Sequence, residues 1–413
     1  MKNLIKTSLI VLSVALFVIS CNNDNNNDDN PIDPQIAIDA KKGEFVENYA
    51  NIVLASYEDS MNKLNELKVA VDNFVDNPDA GKFQAAKNAW KASREPYGQT
   101  EAYRFYDGPI DGAEGEPEGY INAWPLDEAL IDYVISGTGG EDPSDSRQNI
   151  INNLTEYPII SIDGLKDVIG YDENESNVTI GFHAIEFLLW GQDSSDPSEL
   201  RSGERSYTDY TTKENAVRRG QYLRVVTDLL IQDLKSVTDQ WKSGASYRNE
   251  FLNLQVDEAI TRIVTGAAKL SKGELAGERM ATSVENQNQE DEHSCFADNT
   301  HRDVYLNAQS INNIINVSYT KVDGTSISGT SLLDILTLVN STEADDLRIK
   351  AIEVMAKVKV ISDNKYFDNQ IMTETIDNFN NPIMSSVLSL RQQGDILAQA
   401  GKSITGNTID PSV

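Results

Sequence analysis

The apolar residues of this chain recur with a helical period over most of its length. Between Val46 and Leu67 they return at steps of three and four residues, which places them in one stripe along a helix. Pro96 and Pro382 are expected to end or kink the segments that contain them. The same period predicts further helices over 83–105, 127–135, 163–169, 179–190, 214–241, 249–280, 301–315, 331–339, 343–360 and 373–400.

Turn signals separate these helices. The Gly-rich segments 107–120 and 137–145 are typical of loops. One β-hairpin is predicted over 319–327, because Asp323-Gly324 suits a tight turn. The whole pattern predicts an all-α fold of two helical-bundle domains in series, with one short hairpin. The N-terminal domain is expected over 41–212 and the C-terminal domain over 213–410.

The first residues are typical of a targeting segment. Two lysines precede an apolar run over 9–19, which predicts a secretory signal peptide over 1–20. The run is shorter than the roughly 20 apolar residues of a spanning helix. Val18-Ile-Ser-Cys21 resembles the lipobox of bacterial lipoproteins, so Cys21 is the predicted lipidation site; plain secretion with an incidental cysteine is the alternative. Residues 21–40 are then expected to form a disordered Asn/Asp-rich tether.

Charge and composition exclude several classes of protein. The chain carries 35 Lys and Arg against 65 Asp and Glu, a formal net charge of -30. Nucleic-acid binding needs a concentrated basic face, so that class is excluded. Two cysteines exclude a disulfide-rich scaffold, and three histidines leave few places for a nitrogen-ligated metal. With Cys21 lipidated, Cys295 has no partner in the chain and is expected to be buried.

Two segments concentrate the groups that could bind a metal. His183 and Glu186 lie three residues apart on one helical face, in an apolar helix that Gly181 lets other groups approach closely. The alternative is a core histidine that bonds to Glu186. The segment 290–301 contains the other two histidines, and its alternative is an acidic loop before a helix N-cap. The predicted metal ligands are His183, Glu186, His293, Asp298 and His301.

Other polar residues are predicted to line or support the same pocket. The segment 90–105 sets charged side chains among aromatic ones, and a salt-bridged surface is its alternative. The segment 122–127 is also read as a turn into a helix. The predicted supporting residues are Gly181, Arg94, Glu95, Glu101, Asp127, Glu292 and Cys295.

Gly181-x-His183-x-x-Glu186 is similar to the G-x-H-x-x-E signature of the imelysin family, which is classified among the metallopeptidases and includes iron-regulated lipoproteins and an insulin-cleaving membrane protease. Segments at 90–97, 108–111, 121–127, 273–280 and 292–301 also resemble the family. The resemblance extends from about residue 40 to residue 400. It implies two helical bundles with a pocket at their interface and a link to bacterial iron uptake.

Three functions are compatible with these residues. The first is a lipoprotein, anchored in the outer membrane by its N-terminal lipid alone and facing the periplasm or the cell surface. It binds iron, free or chelated, and works with an iron-uptake transporter. The second is a zinc peptidase that uses His183, Glu186 and a second histidine. It lacks the H-E-x-x-H general base, so Glu95 or Glu292 would have to serve. The third is a non-catalytic surface-interaction lipoprotein.

Overall fold

The computed structural model of the protein describes residues 34–112, 117–135, 149–169 and 176–412. The predicted signal peptide, Cys21 and the predicted loop 137–145 lie outside the described residues. The first helix begins at Pro34, so residues 34–40, which the sequence pattern assigns to the tether, are helical. Within the described ranges, no helix is both long and apolar enough to cross a membrane.

The described residues confirm the all-α fold with one hairpin. The helices are α1 Pro34–Asp76, α2 Ala80–Tyr97, α3 Pro117–Ile121, α4 Glu128–Ile131, α5 Ile162–Lys166, α6 Gly181–Trp190, α7 Ala216–Trp241, α8 Ser246–Leu252, α9 Val256–Lys269, α10 Thr282–Asn286, α11 Thr300–Asn316, α12 Leu332–Val339, α13 Ser341–Asn364, α14 Phe367–Ile371 and α15 Pro382–Thr405. Short 3₁₀ turns cover Gly98–Tyr103, Pro197–Glu199, Tyr207–Tyr210 and Gln289–Asp291. The strands are β1 Ser318–Thr320 and β2 Ser326–Ser328.

The long helix α1 organises the packing. Its apolar stripe, which includes Phe45, Tyr49 and Val53, is fully buried. Around it pack α2, α7, α9 and α12, which come from both sides of the predicted boundary at residue 212. The buried apolar side chains of the two halves belong to one contiguous core. The division into two domains stays a prediction.

Several helices differ from the sequence prediction; the predicted helix 127–135, for example, is helical only over Glu128–Ile131. Pro382 does not interrupt a helix that starts at 373; it stands in the first turn of α15, where its missing N–H costs no hydrogen bond. The segment 249–280 is broken between α8 and α9. After α9 the chain continues as a π-helix over Leu270–Ala281, a rare element that is frequent at functional sites.

The hairpin forms where the sequence predicts it. β1 and β2 are antiparallel, with Tyr319 opposite Ile327. Gly324 takes a φ of 85°, which its missing Cβ allows in the turn. The Tyr319 hydroxyl donates to Asp59 Oδ2 at 2.9 Å and so ties the hairpin to α1.

Candidate functional site

Helix α6, which carries the G-x-H-x-x-E motif, is buried along its whole length. Gly181 starts it with a φ of 85°. A Cβ at this position would lie 2.7 Å from the carbonyl oxygen of Ile121 and 2.9 Å from that of Tyr120. Glycine is therefore needed both for the backbone conformation and for the close approach of this segment.

His183 and Glu186 form a closed pair inside the protein. His183 Nδ1 lies 2.8 Å from Glu186 Oε2, and neither residue is more than 1% exposed. The other carboxyl oxygen, Oε1, accepts the backbone N–H of Ala297 at 2.9 Å. Burial lowers the pKa of His183 well below its ordinary value and raises the pKa of Glu186 well above its own. Burial thus favours the uncharged form of each group.

His293 lies against His183, with ring centroids 4.8 Å apart. Its Nδ1 is 3.1 Å from Asp303 Oδ2, and its Nε2 is 3.4 Å from the amide of Asn122. Burial, together with the nearby Arg279, lowers the pKa of His293 to about 4. The second histidine is therefore also neutral at pH 7.

Arg94 supplies the positive charge of this centre. Its Nη2 lies 3.2 Å from Asp303 Oδ2 and 3.4 Å from His293 Nδ1, and its Nη1 donates to Asn122 Oδ1 at 2.5 Å. Burial alone would raise the pKa of Asp303, but Arg94 and His293 hold it well below its ordinary value. The centre is a network in which each charge has a partner.

Most of the nitrogen and oxygen atoms of this centre that could bind a metal are already hydrogen-bonded to one another. Among the ring nitrogens of His183 and His293, Nε2 of His183 alone lacks a hydrogen-bond partner in the described structure. No group of three or more His, Cys, Asp or Glu side chains that could hold a metal ion exists within the described ranges. The Arg94 guanidinium would also repel a cation at His293. The residues therefore fit a hydrogen-bonded core better than an open ion site.

Glu101 belongs to a neighbouring ion cluster. It pairs with Arg279 at 3.0 Å and with Arg104 at 3.3 Å, and its Oε1 accepts from Asn122 at 3.2 Å. Burial opposes ionisation of Glu101, but Arg279 and Arg104 keep its pKa below the ordinary value. Since Arg279 comes from the π-helix, that element is connected to the histidine centre through Glu101 and Asn122.

The remaining predicted ligands line a cavity of about 780 Å³. Burial, reinforced by Asp368 and Asp193, raises the pKa of Asp298 to about 8, and both its carboxyl oxygens lack a partner in the described structure. Burial lowers the pKa of His301 to about 4. The cavity is lined by Lys87, Lys91, Ala92, Glu95, Leu200, Arg201, Ser202, Gly203, Glu204, Ala297, Asp298, Asn299, His301, Arg302, Lys365 and Tyr366.

Ala297 joins the buried centre to the cavity. Its N–H is held by Glu186, and its carbonyl accepts from Lys91 Nζ at 2.7 Å. The motif helix thus holds the cavity wall from inside, while α2 holds the same residue from the cavity side. The predicted ligands are divided accordingly: His183, Glu186 and His293 are buried together, whereas Asp298 and His301 face the cavity.

The other predicted supporting residues lie near these groups. Asp127 caps α4 by accepting from the N–H of Leu130 at 3.3 Å. Glu292 is fully buried, and burial together with Asp368 raises its pKa well above the ordinary value. Cys295 is a free thiol and is buried, as expected, and burial raises its pKa. It lines a cavity of about 210 Å³ with Glu128 and other residues.

Sequence reasoning missed several residues of the site. Asp303 follows His301 by two positions, so its place in the same segment was a usable signal. Lys87 and Lys91 are one helical turn apart, and two like charges at that spacing are unfavourable on a helix. That pattern could have indicated a functional surface on α2. Lys365 had no sequence signal, because its place depends on how α13 ends.

Comparison with known proteins places the chain in a family. The family model for imelysin (Peptidase_M75) matches residues 53–397. Iron-regulated protein A of Synechococcus elongatus is 23% identical over 267 residues, a match that covers 62% of this chain and 59% of that relative. The chain thus matches less than two thirds of the relative's length.

Two solved structures share the fold. A candidate iron-regulated protein A precursor from Parabacteroides distasonis aligns with a TM-score of 0.62 at 18% identity, and the alignment covers 87% of this chain and 95% of that one. An imelysin-like protein from Psychrobacter arcticus aligns with a TM-score of 0.58 at 13% identity, over 90% of this chain and 98% of that one. With the family match over most of its length, this chain belongs to the imelysin family.

Proposed function

We propose that this chain is a cell-envelope lipoprotein that binds iron, free or chelated, and contributes to iron uptake. The observation that carries the proposal is the contact of Glu186 with Ala297, which builds the G-x-H-x-x-E motif into the wall of the 780 Å³ cavity. A cavity of this volume is in the range of small-molecule sites. The name of the Synechococcus relative supports the link to iron.

Iron in this proposal is cargo, and the cavity is where it would be held. Asp298 and the Nδ1 atom of His301 offer donors that are unpartnered in the described structure. Carboxylate oxygen and imidazole nitrogen are both ligands that iron accepts. A chelated iron would instead bring its own donors and bind through the polar wall. For free and for chelated iron alike, the buried His183–Glu186 pair would support binding by fixing the position of Ala297, next to Asp298.

The proposed cellular location follows from the lipidation site predicted at the N-terminus. A lipid on Cys21 would anchor the protein in the outer membrane, on its periplasmic or its outer face. The net charge of -30 would raise the concentration of cations near the protein. An uptake transporter would then receive the cargo.

Metal content tests this proposal. The mature chain from Asn22 onward, without a histidine tag, would be exposed to ferrous ions, to ferric citrate and to zinc ions, desalted and analysed by mass spectrometry. We expect about one iron per chain in the wild type and a clear loss in Asp298→Asn and His183→Ala. Asp377→Asn, an exposed change outside the cavity, is the control. Wild-type protein without iron in any form would contradict the proposal.

The two alternatives are outcomes of the same experiment. Zinc retention with chelator-sensitive cleavage of a peptide library, lost in Glu186→Gln, would establish the peptidase. No contact in the described structure favours it, because His183 and Glu186 are closed against each other and inaccessible to solvent. A folded, metal-free protein in which His183→Ala only lowers stability would establish the surface-interaction protein.

A further inference from the structure

The charge of the 780 Å³ cavity is opposite to that of the whole chain. The chain carries a net charge of -30, yet more basic than acidic side chains line this cavity. The basic ones are Lys87, Lys91, Arg201, Arg302 and Lys365, and the acidic ones are Glu95, Glu204 and Asp298. The chain has nearly twice as many acidic as basic residues, so a surplus of basic side chains in this cavity favours the binding of a negatively charged ligand there.

The two arginines are compensated by carboxylates. Arg302 donates to both oxygens of Glu95, at 2.9 and 2.7 Å. Arg201 pairs with Glu199 at 2.6 Å and with Glu204 at 2.9 Å. These pairs use up two of the three carboxylates that line the cavity. The positive charge that remains is that of the lysines.

The three lysines have no carboxylate within 4 Å among the described residues. Lys87 and Lys91 are one turn apart on α2, so their charges repel each other. Lys91 Nζ bonds to the Ala297 carbonyl, and Lys87 Nζ lies 5.2 Å from the centre of the Trp190 ring. Lys365 reaches the same cavity from the end of α13.

The third carboxyl group does not cancel this charge. Asp298 is the one lining carboxyl group left after the two arginine pairs, and it stands against three lysines. Even with Asp298 ionised, the lysines leave a surplus of positive charge among the described side chains that line the cavity.

We propose that this cavity selects iron as a negatively charged complex with a carboxylate-bearing chelator, and that Lys87, Lys91 and Lys365 determine that selectivity. The inference rests on the proposed function and narrows its cargo. A bare cation would meet three ammonium groups, whereas the outer carboxylates of a ferric complex would pair with them. Charge-assisted hydrogen bonds of this kind are stronger than neutral ones, and a partly buried wall screens them less than bulk water does.

Calorimetric titration of the mature chain tests the inference with three probes, which are ferric citrate, citrate alone, and ferrous chloride without oxygen. We expect ferric citrate to bind best and its affinity to fall at high salt. Lys87→Met with Lys91→Met should weaken it at least tenfold, the effect of about 1.4 kcal/mol. Lys365→Met, an exposed change at the end of α13, should weaken it as well. Lys402→Met, exposed on α15, is the matched control.

The outcomes separate the two proposals. Ferrous ions that bind while ferric citrate does not would overturn the inference and leave iron capture intact, as would lysine variants that bind ferric citrate like the wild type. Citrate alone that binds as tightly as ferric citrate would also overturn the inference, because the cavity would then select the chelator and not its iron complex. Circular dichroism shows whether the double variant folds, and Lys365→Met tests the inference if it does not.

Discussion

At the scale of single residues, Gly181 is the most constrained position of the motif. It combines a φ of 85° with backbone carbonyls that would contact any Cβ. We expect Gly181→Ala to lower the free energy of unfolding by about 1–3 kcal/mol, because neither the backbone carbonyls nor the dihedral can relax cheaply. Urea denaturation measures this. Gly119→Ala is the control, since a Cβ there would have no atom within 4 Å. Equal losses in the two variants would contradict the argument.

The pKa of Lys87 predicts a pH dependence for the proposed binding of ferric citrate. Burial, together with Lys91 and Arg205, lowers its pKa to about 8, although Glu204 acts in the opposite direction. Lys87 is therefore charged at pH 7 and loses its proton as the pH rises through about 8. Asp298, with its pKa raised to about 8, becomes negative over the same interval. Both changes disfavour an anion, so affinity for ferric citrate should fall between pH 7 and pH 9.

The two contributions can be separated by mutation. Asp298→Asn should keep the Lys87 part of the decrease, whereas Lys87→Met should bind more weakly at pH 7 and lose less affinity as the pH rises. Titrations at pH 7, 8 and 9 measure both. Affinity that rises with pH in the wild type would contradict the assignment of charge to the cavity.

At the scale of elements, the start of α15 depends on a distant carboxylate. Glu374 Oε1 accepts the N–H of Ile383 at 2.9 Å, and Oε2 accepts that of Met384 at 3.1 Å. It thereby satisfies the first turn of a helix that begins with Pro382. We expect Glu374→Ala to cost about 1–2 kcal/mol of stability in thermal or urea unfolding. Asp377→Ala in the same loop should be nearly neutral, and a similar cost there would contradict the capping role.

The same contact explains why the sequence pattern predicts the wrong start for this helix. Apolar periodicity from 373 onward looks continuous, but Glu374 lies outside the helix and caps it from the preceding loop. The π-helix could not be predicted either. Its side chains, such as Arg279, are fixed by partners on other elements, including Glu101 and Asn307. Helices with a continuous apolar stripe, such as α1, were predictable because the local period of their apolar residues indicates the helix directly.

At the scale of the molecule, the two halves of the chain share one core. Buried residues of α1, α7, α9 and α15 belong to the same apolar cluster across the predicted boundary at residue 212. We therefore expect a single cooperative transition in calorimetry, with calorimetric and van't Hoff enthalpies that agree. Two separate transitions would show instead that the predicted domains 41–212 and 213–410 unfold independently.

The candidate site was predictable in part. The spacing of His183 and Glu186 indicated their pairing, and the polar segment 290–301 does meet that helix. Spacing could not show that the pair would be closed, because Ala297 and Asp303 reach it from remote positions in the chain. Nor could composition reveal a basic cavity in an acidic protein, since that depends on which few charges remain unpaired after folding.

Ala297 has one more consequence. Glu186 accepts its N–H and Lys91 donates to its carbonyl, so we expect an anion that binds Lys91 to alter the hydrogen bond at the other side of the same residue. Cargo in the cavity would thereby be felt at an imidazole that never touches solvent. We therefore expect the nitrogen resonances of His183 to shift when the cavity is occupied, so that NMR of the intact protein could follow binding without an attached dye.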